Sequence, residues 1–168
     1  TLVTQRTVDL EIEKDNSDRL LKNILPDPIA EKLKANQFGD QTIADSFSEV
    51  TVLFADIVGF TKTTSSHSAD DVVMALNDLF SRFDDRAKIM GVEKVKTIGD
   101  CYMAVCGLPE PREGNAQVMV DFARGMYTDL YEYNKTAKIP FEIRVGINCG
   151  PVVAGVIGKT KFIYDIWG

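Results

Sequence analysis

The sequence predicts an α+β fold of the ferredoxin-like type, in which an antiparallel sheet carries both of its helices on one face. Three observations support this prediction. Residues 50–57 (VTVLFADI) are a β-branched, apolar run typical of a buried strand. Helical periodicity follows over residues 68–91 and again over residues 115–135. Between the helices, residues 92–106 have the pattern of a hairpin with Gly99-Asp100 at its tip. The expected order is therefore β-α-β-β-α-β plus one further strand.

The two helices have clear signals at their ends and on their apolar faces. Ser68 is a capping residue followed by acidic side chains, and Gly91 is suited to end that helix. The side chains expected to face inward are Val72, Val73, Leu76, Leu79, Phe80 and Phe83, then Val118, Val120, Phe122, Ala123 and Met126. The last two strands are expected at residues 141–147 and 151–157, separated by a turn at Cys149-Gly150-Pro151.

The N-terminal part predicts a helical segment outside the globular body. Residues 1–35 have apolar side chains at three- and four-residue steps, with a break or restart at Pro26 and Pro28. Two interpretations stay open: an amphipathic helix lying on the domain, or a coiled-coil stalk that dimerises. Residues 36–48 are expected to be a linker, and residues 49–168 the globular domain.

Composition restricts the function classes. The 168 residues carry a net charge of −6, which argues against nucleic-acid binding because such proteins normally carry a basic stripe. The three cysteines lack zinc-site spacing, so reduced, buried thiols and a cytoplasmic location are expected. No apolar run reaches the length of a membrane span. The chain starts without Met, so we expect a piece of a longer protein, with upstream regulatory modules or a membrane anchor.

Two aspartates are the first candidates for a functional site. Asp56 ends the first strand, and Asp100 lies at the hairpin tip. In a ferredoxin-like sheet the first strand lies beside the third, so these two positions meet at one edge. Two adjacent carboxylates repel each other unless a cation lies between them. Oxygen ligands in a partly hydrated site suit Mg²⁺ or Mn²⁺.

Next to Asp56 the chain predicts a phosphate-binding turn. Gly59 allows close approach of the backbone after the strand, and successive N–H groups in such a turn can bind an anion. A single glycine in a strand-to-helix loop is weak evidence by itself, and an ordinary loop is the alternative.

Four stretches together resemble the catalytic domain of class III nucleotidyl cyclases. They are FADIVGFT, EKVKTIGDCYMA, RVGINCGPVVAGVIG and YDIWG, and the resemblance spans residues 45–168. It implies an adenylyl cyclase in intracellular signal transduction, which converts ATP to 3′,5′-cyclic AMP and pyrophosphate. It also implies a homodimer with its active sites between two open sheet faces.

The resemblance assigns roles residue by residue. Asp56 and Asp100, with the backbone carbonyl of Ile57, would hold two Mg²⁺ or Mn²⁺ ions per site. Arg144 would act near the triphosphate as a catalytic and phosphate-binding residue, although a strand arginine paired with a surface acid is the alternative. The backbone N–H groups that would meet the phosphates belong to Gly59, Phe60 and Thr61.

Lys96 and Asp165 match the family's two purine-selecting positions. A lysine can donate to adenine N1 and an aspartate can accept from the N6 amino group, whereas guanine presents the opposite pattern. The resemblance places these two residues across the dimer interface from Asp56 and Asp100. A guanylyl or relaxed-specificity cyclase, and a catalytically silent nucleotide-binding domain, are the open alternatives.

The sequence also departs from the family pattern. After YDIWG the family continues with an asparagine that orients the ribose, an arginine that stabilises the transition state and a phosphate-binding lysine. The sequence ends at Gly168, the last residue of YDIWG, and so does not contain this segment. We therefore expect the chain as given to bind metal and nucleotide but to turn over weakly or not at all.

Overall fold

A computed structural model of the chain describes residues 2–35, 42–158 and 161–168. The elements are α1 (Leu2–Ile24), α2 (Asp27–Ala35), β1 (Ala44–Ile57), α3 (Phe60–Thr64), α4 (Ala69–Met90), β2 (Glu93–Ile98), β3 (Cys101–Cys106), α5 (Asn115–Asn134), β4 (Ile143–Ile157) and β5 (Ile163–Trp167). The strands form a five-stranded sheet in the order β2-β3-β1-β4-β5. The predicted ferredoxin-like α+β fold is thereby confirmed, with β1 beside β3.

The helices α4 and α5 pack against each other and against the hairpin strands β2 and β3. The core under them is aromatic: the ring of Tyr102 lies 5.6 Å, centroid to centroid, from both Phe80 and Phe83 in edge-on geometry. Along β1 the residues alternate, so that Leu53, Ala55 and Ile57 belong to this core. The residues between them therefore face the opposite side of the sheet, which we call the open face.

The ends of α4 agree with the sequence. The Ser68 hydroxyl accepts a hydrogen bond from the Asp71 backbone N–H at 3.1 Å, and Gly91 ends the helix with a φ of 67°. Two side chains expected to face inward do not: Val73 is 64% and Val120 is 42% exposed. The apolar stripes are narrower than the sequence pattern indicates.

The boundaries of several strands differ from the prediction. β1 begins at Ala44, so part of the expected linker 36–48 is strand, while residues 36–41 lie outside the described residues. The turn predicted at Cys149-Gly150-Pro151 is wrong, because β4 runs through it as one strand of 15 residues. Gly150 has a φ outside the left-handed region, as is ordinary for a residue within a strand. β5 was not expected as a strand.

The chain divides into two compact units. One comprises residues 1–45 and 153–167, and the other residues 46–152 with Gly168. In the first unit, α1 and α2 are separated at Leu25-Pro26, as the prolines predicted. The described side chains of α1 are exposed or half-buried, whereas α2 buries Ile29, Ala30 and Leu33.

Two further expectations concern cysteines and membrane spans. All three cysteines are free, but Cys149 is exposed and Cys101 half-buried, so the expectation of buried thiols holds for Cys106. Among the described helices, none combines the length and the apolar character that a membrane span requires.

Candidate active site

The pairing of β1 with β3 brings Asp56 and Asp100 to one edge of the sheet. Asp56 lies directly opposite Cys101, and Asp100 is the residue before Cys101. Gly99, with a φ of 61°, makes the tight turn that places Asp100 at the hairpin tip. Burial, and then the negative charges of Asp56 and Asp100, raise the pKa of the Cys101 thiol. Both carboxylates therefore act on the same small region, as the topology predicted.

Arg144 lies on the open face beside Asp56. Its Nε donates to Oδ2 of Asp56 at 2.9 Å, and its terminal Nη2 donates to the same oxygen at 2.6 Å. The Arg144 side chain is 76% exposed and that of Asp56 is 30% exposed. A surface ion pair was the alternative interpretation of Arg144 in the sequence, and the structure contains this pair with Asp56.

The turn after β1 leads directly into the short helix α3. Gly59 adopts φ 61° and ψ 29° and caps the short helix α3. A Cβ at Gly59 would meet nothing within 4 Å, so it is the backbone angle rather than space that favours glycine here. The first N–H groups of a helix have no acceptor within the helix, so those of Phe60 and Thr61 are suited to meet an anion. The side chain of Ile57 is buried, and its backbone carbonyl lies at the end of β1, directly before this turn.

Lys96 projects from the hairpin toward the open face. It pairs across the strands with Met103, which in turn pairs with Phe54. Phe54 and Asp56 are two residues apart on β1 and therefore share one face of the sheet. Lys96 is thus on the same face as Asp56.

Asp165 lies on β5, in the compact unit formed by residues 1–45 and 153–167. It is half-buried, and its Oδ1 accepts a hydrogen bond from the Ile166 backbone N–H at 2.9 Å. Its partner across the strands is Gly155, which has no side chain to cover it. The other candidate residues belong to the unit formed by residues 46–152.

The comparison with known proteins decides the family. Residues 42–168 match the family model of the adenylate and guanylate cyclase catalytic domain. The chain belongs to this cyclase family. A similar curated protein is an adenylate cyclase of Mycobacterium bovis, 45% identical over 159 residues, which cover 95% of this chain and 35% of that protein. A receptor-type guanylate cyclase, gcy-5 of Caenorhabditis elegans, is 41% identical over 174 residues, covering 99% of this chain and 15% of that protein.

A solved structure gives the same result. The catalytic core of a rhodopsin-guanylyl cyclase with converted specificity, in complex with ATPαS, is 41% identical, with a TM-score of 0.67. The match covers 74% of this chain and 68% of that one. The chain spans about a third or less of the length of the two curated relatives. Relatives with either purine specificity are therefore similar to this cyclase domain.

The donor set of the cyclase site suits a hard cation. Within residues 2–35, 42–158 and 161–168, no group of three or more His, Cys, Asp or Glu side chains could hold a metal by itself. Two carboxylates with a nearby backbone carbonyl leave coordination positions for phosphate oxygens and water. Mg²⁺ is commonly bound in this way, by one or two carboxylates plus substrate phosphates. Asp56 and Asp100 therefore fit the metal that the family implies.

One cluster on the hairpin was not predicted from the sequence. Lys94, Asp84 and Tyr102 form a hydrogen-bonded group on the side of the hairpin that faces the helices. The sequence places Lys94 and Lys96 two residues apart on one strand, and that spacing predicts that both side chains share a face. It does not show that the two lysines face opposite sides of the sheet.

Proposed function

We propose that this domain converts ATP to 3′,5′-cyclic AMP and pyrophosphate, as a homodimer with two Mg²⁺ or Mn²⁺ ions in each active site. The observation that carries the proposal is the register of β1 and β3, which sets Asp56 opposite Cys101 and so beside Asp100. In this reaction the ribose 3′-oxygen bonds to the α-phosphorus. The bond from that phosphorus to pyrophosphate breaks, and the hydroxyl proton is released.

The residues of the chain have distinct roles in this proposal. Asp56, Asp100 and the Ile57 carbonyl hold the cations, which when bound acidify the 3′-hydroxyl and neutralise the triphosphate. The backbone N–H groups of Gly59, Phe60 and Thr61 bind the terminal phosphates. Catalysis is then largely positioning and electrostatic stabilisation.

Arg144 has two successive partners in the proposal. Without nucleotide it pairs with Asp56, and its high exposure leaves the guanidinium able to turn toward a triphosphate. Arginine suits this task because its planar fork binds phosphate oxygens through two N–H groups.

The choice of adenine rests on Lys96 and Asp165. A lysine donor and a carboxylate acceptor match N1 and the N6 amino group of adenine, and guanine would leave both groups without a suitable partner. The Mycobacterium bovis relative, named an adenylate cyclase, supports this choice. The guanylate cyclases among the relatives make GTP the principal rival substrate.

A second copy of the chain completes the site in this proposal. The open face presents Phe54 and Ile98, which are 42% and 51% exposed, next to Asp56 and Lys96. Exposed apolar side chains beside a charged site favour coverage by a partner. Each composite site would combine Asp56 and Asp100 of one copy with Lys96 and Asp165 of the other.

The remaining parts of the proposal concern the longer protein. The exposed apolar residues of α1, among them Leu10 and Ile24, suit a dimerising stalk that connects to an upstream regulatory module. ATP and reduced thiols belong to the cytoplasm, so we place the domain there, with or without a membrane anchor elsewhere in the protein.

The test is product formation by the full-length protein with Mn²⁺ and either ATP or GTP. Asp56→Ala should lower turnover by at least about 100-fold because it removes a metal ligand. Asp121→Ala, at an exposed helix position, is the matched control. Lys96→Glu should shift preference toward GTP, while Lys88→Glu, at an exposed helix position, should not.

Each rival has its own outcome in this test. Activity that survives Asp56→Ala contradicts the metal assignment, and GTP preference in the unmodified protein supports the guanylyl cyclase. If the unmodified protein binds nucleotide but forms neither product, the domain is the catalytically silent regulator.

A further inference from the structure

Strand β2 carries two lysines that the structure places on opposite faces of the sheet. Residues two apart on a regular strand share a face. Here Lys94 pairs with Ala104 and Lys96 with Met103, so the register shifts by one residue between them. Val95 is the extra residue of a β-bulge. Such bulges re-aim side chains and are common next to active sites.

Lys94 faces the helices and is held there by two neighbours. Its Nζ donates to Oδ2 of Asp84 on α4 at 2.9 Å. The same Nζ lies 5.3 Å from the centroid of the Tyr102 ring. The Tyr102 hydroxyl donates to the other oxygen of Asp84, Oδ1, at 2.7 Å. One oxygen of Asp84 thus connects β2 to the helix layer, and the other oxygen connects β3 to it.

Tyr102 supports this anchor from the core. It is fully buried, and its ring packs edge-on against Phe80 and Phe83, which lie on the same helix as Asp84. Burial, and then the hydrogen bond to Asp84, raise the pKa of Tyr102. The phenol therefore stays a donor, and the Asp84 carboxylate stays fixed for Lys94.

We infer that the anchor formed by Asp84, Tyr102 and Lys94 positions Lys96 for purine selection, an inference that rests on the proposed function. Without the bulge the hairpin has two simple registers. If the hairpin tip stayed in place, Lys94 would turn to the open face beside Lys96. If Lys94 stayed on Asp84, Lys96 would turn toward the helices. The anchor with its bulge disfavours both, since it keeps Lys94 on the helix side of the sheet and Lys96 on the open face; the Lys94 and Asp84 side chains are 35% and 42% exposed.

The consequence is a specificity effect. A second ammonium group on the open face, two residues from Lys96, would add a donor that does not distinguish adenine from guanine. A displaced Lys96 would lose the donor that does. Either change weakens recognition of adenine. It has less effect on binding of the triphosphate, which ATP and GTP share. Asp84 and Lys94 are therefore positioning residues that act through Lys96.

The experiment compares variants of the full-length protein with Mn²⁺ and either ATP or GTP. Asp84→Asn removes the charge that holds Lys94 but keeps an acceptor for Tyr102, and Lys94→Met keeps the stem without the ammonium group. Lys94→Arg should retain the pair with Asp84 and serves as the conservative rescue. Asp78→Asn is the control, because Asp78 pairs with Arg82 on the exposed side of the same helix at 2.9 Å.

The expected result is a fall in the ATP-to-GTP ratio of kcat/KM. Asp84→Asn and Lys94→Met should each lower this ratio by about three- to tenfold, largely through KM for ATP. The double variant should be no worse than the more affected single variant, because both remove one anchor. Asp78→Asn and Lys94→Arg should keep the ratio. Amide hydrogen exchange at residues 94–97 should accelerate in the two disruptive variants.

Lys96→Glu separates this inference from the proposed function. If Lys96→Glu changes the ratio but Asp84→Asn and Lys94→Met do not, the positioning role is wrong and the proposed function stands. Equal losses for both nucleotides, accompanied by a lower Tm, would reduce the anchor to a structural role and overturn the inference. If Lys96→Glu leaves the ratio unchanged, the purine assignment fails and the inference fails with it.

Discussion

The guanidinium of Arg144 donates two hydrogen bonds to one oxygen of Asp56, at 2.9 and 2.6 Å. Asp56 is also the residue that we propose as a metal ligand. The guanidinium carries a positive charge, so its contact with this carboxylate opposes the binding of a cation there. Metal binding at Asp56 therefore competes with the Arg144 contact in the protein without nucleotide.

We expect Arg144→Gln to bind Mn²⁺ more tightly than the unmodified protein when no nucleotide is present. The pair is largely exposed, and exposed ion pairs contribute at most about 1 kcal/mol, so the gain should be about two- to fivefold. Titration calorimetry or Mn²⁺ electron paramagnetic resonance measures it. The same variant should bind the Mn²⁺–ATP complex more weakly, because the proposed phosphate partner is lost.

Arg124→Gln is the control for net charge, since Arg124 is 81% exposed and makes only a 4.0 Å contact with Asp121. It should leave Mn²⁺ affinity unchanged. Equal tightening in both variants would mean that overall charge, rather than the contact with Asp56, governs metal affinity.

Two features of the structure could be predicted from the sequence. The meeting of Asp56 and Asp100 could be predicted because a strand end and a two-residue hairpin tip are fixed by topology. The Ser68 cap could be predicted because it depends on a hydrogen bond within four residues. The cap needs only neighbouring residues, whereas the meeting of the two aspartates follows from the strand order that the alternation of strands and helices indicates.

Other features depend on pairing between distant residues and could not be predicted in this way. Gly150-Pro151 has the composition of a turn, yet it lies inside β4. The bulge at Val95 lies next to Lys94, whose partners Asp84 and Tyr102 are outside β2 in the sequence. Strand conformation reflects cross-strand neighbours more than intrinsic preference. The assigned roles of Lys96 and Asp165 remain predictions.

Gly59 gives a prediction about backbone strain. Gly59→Ala should lower the free energy of unfolding by about 1 kcal/mol, because alanine is disfavoured at a φ of 61°. Gly59→Asn should cost less, since asparagine tolerates this region. Urea unfolding measures both. Gly146→Ala is the matched control: its φ lies outside the left-handed region and a Cβ would meet nothing within 4 Å. A similar loss at Gly146 would contradict the explanation.

Asp71 gives a prediction about pH. Its hydrogen bonds with Lys138 and then Ser68 lower the pKa of this carboxyl. A lowered pKa in the folded state means that the stabilisation is present above the unfolded pKa of about 4 and is lost as pH falls through the folded value. Lys138→Gln should therefore destabilise the protein at neutral pH, and its difference from the unmodified protein should shrink at low pH.

Carboxyl-carbon NMR checks the cause, because the pKa of Asp71 should rise in Lys138→Gln. Lys135→Gln is the control, since Lys135 pairs with Glu132 at 2.7 Å instead. A difference between Lys138→Gln and the unmodified protein that stays constant down to the lowest pH would show that Lys138 stabilises the fold by other means.

Gly125 gives a prediction in which one neighbour, Arg86, decides whether alanine raises or lowers the free energy of unfolding. A Cβ at Gly125 would lie 2.5 Å from both Cδ and Nη1 of Arg86, well inside contact distance. Arg86 is held in place, because it donates two hydrogen bonds to Asp129, both at 2.6 Å. Gly125→Ala should displace it and lower the free energy of unfolding by about 1–2 kcal/mol, as loss of a partly buried ion pair implies.

The same substitution should stabilise the protein once Arg86 is gone. An Arg86→Ala background removes the three heavy atoms nearest to a Cβ at Gly125, all of which belong to Arg86. Alanine is then favoured over glycine within a helix by about 0.5–1 kcal/mol. Urea unfolding of the four proteins in this double-mutant cycle measures both effects. The reversal of sign separates the packing of Arg86 from helix propensity, because propensity alone would stabilise both backgrounds. Destabilisation in both backgrounds would instead place the obstacle in a neighbour other than Arg86.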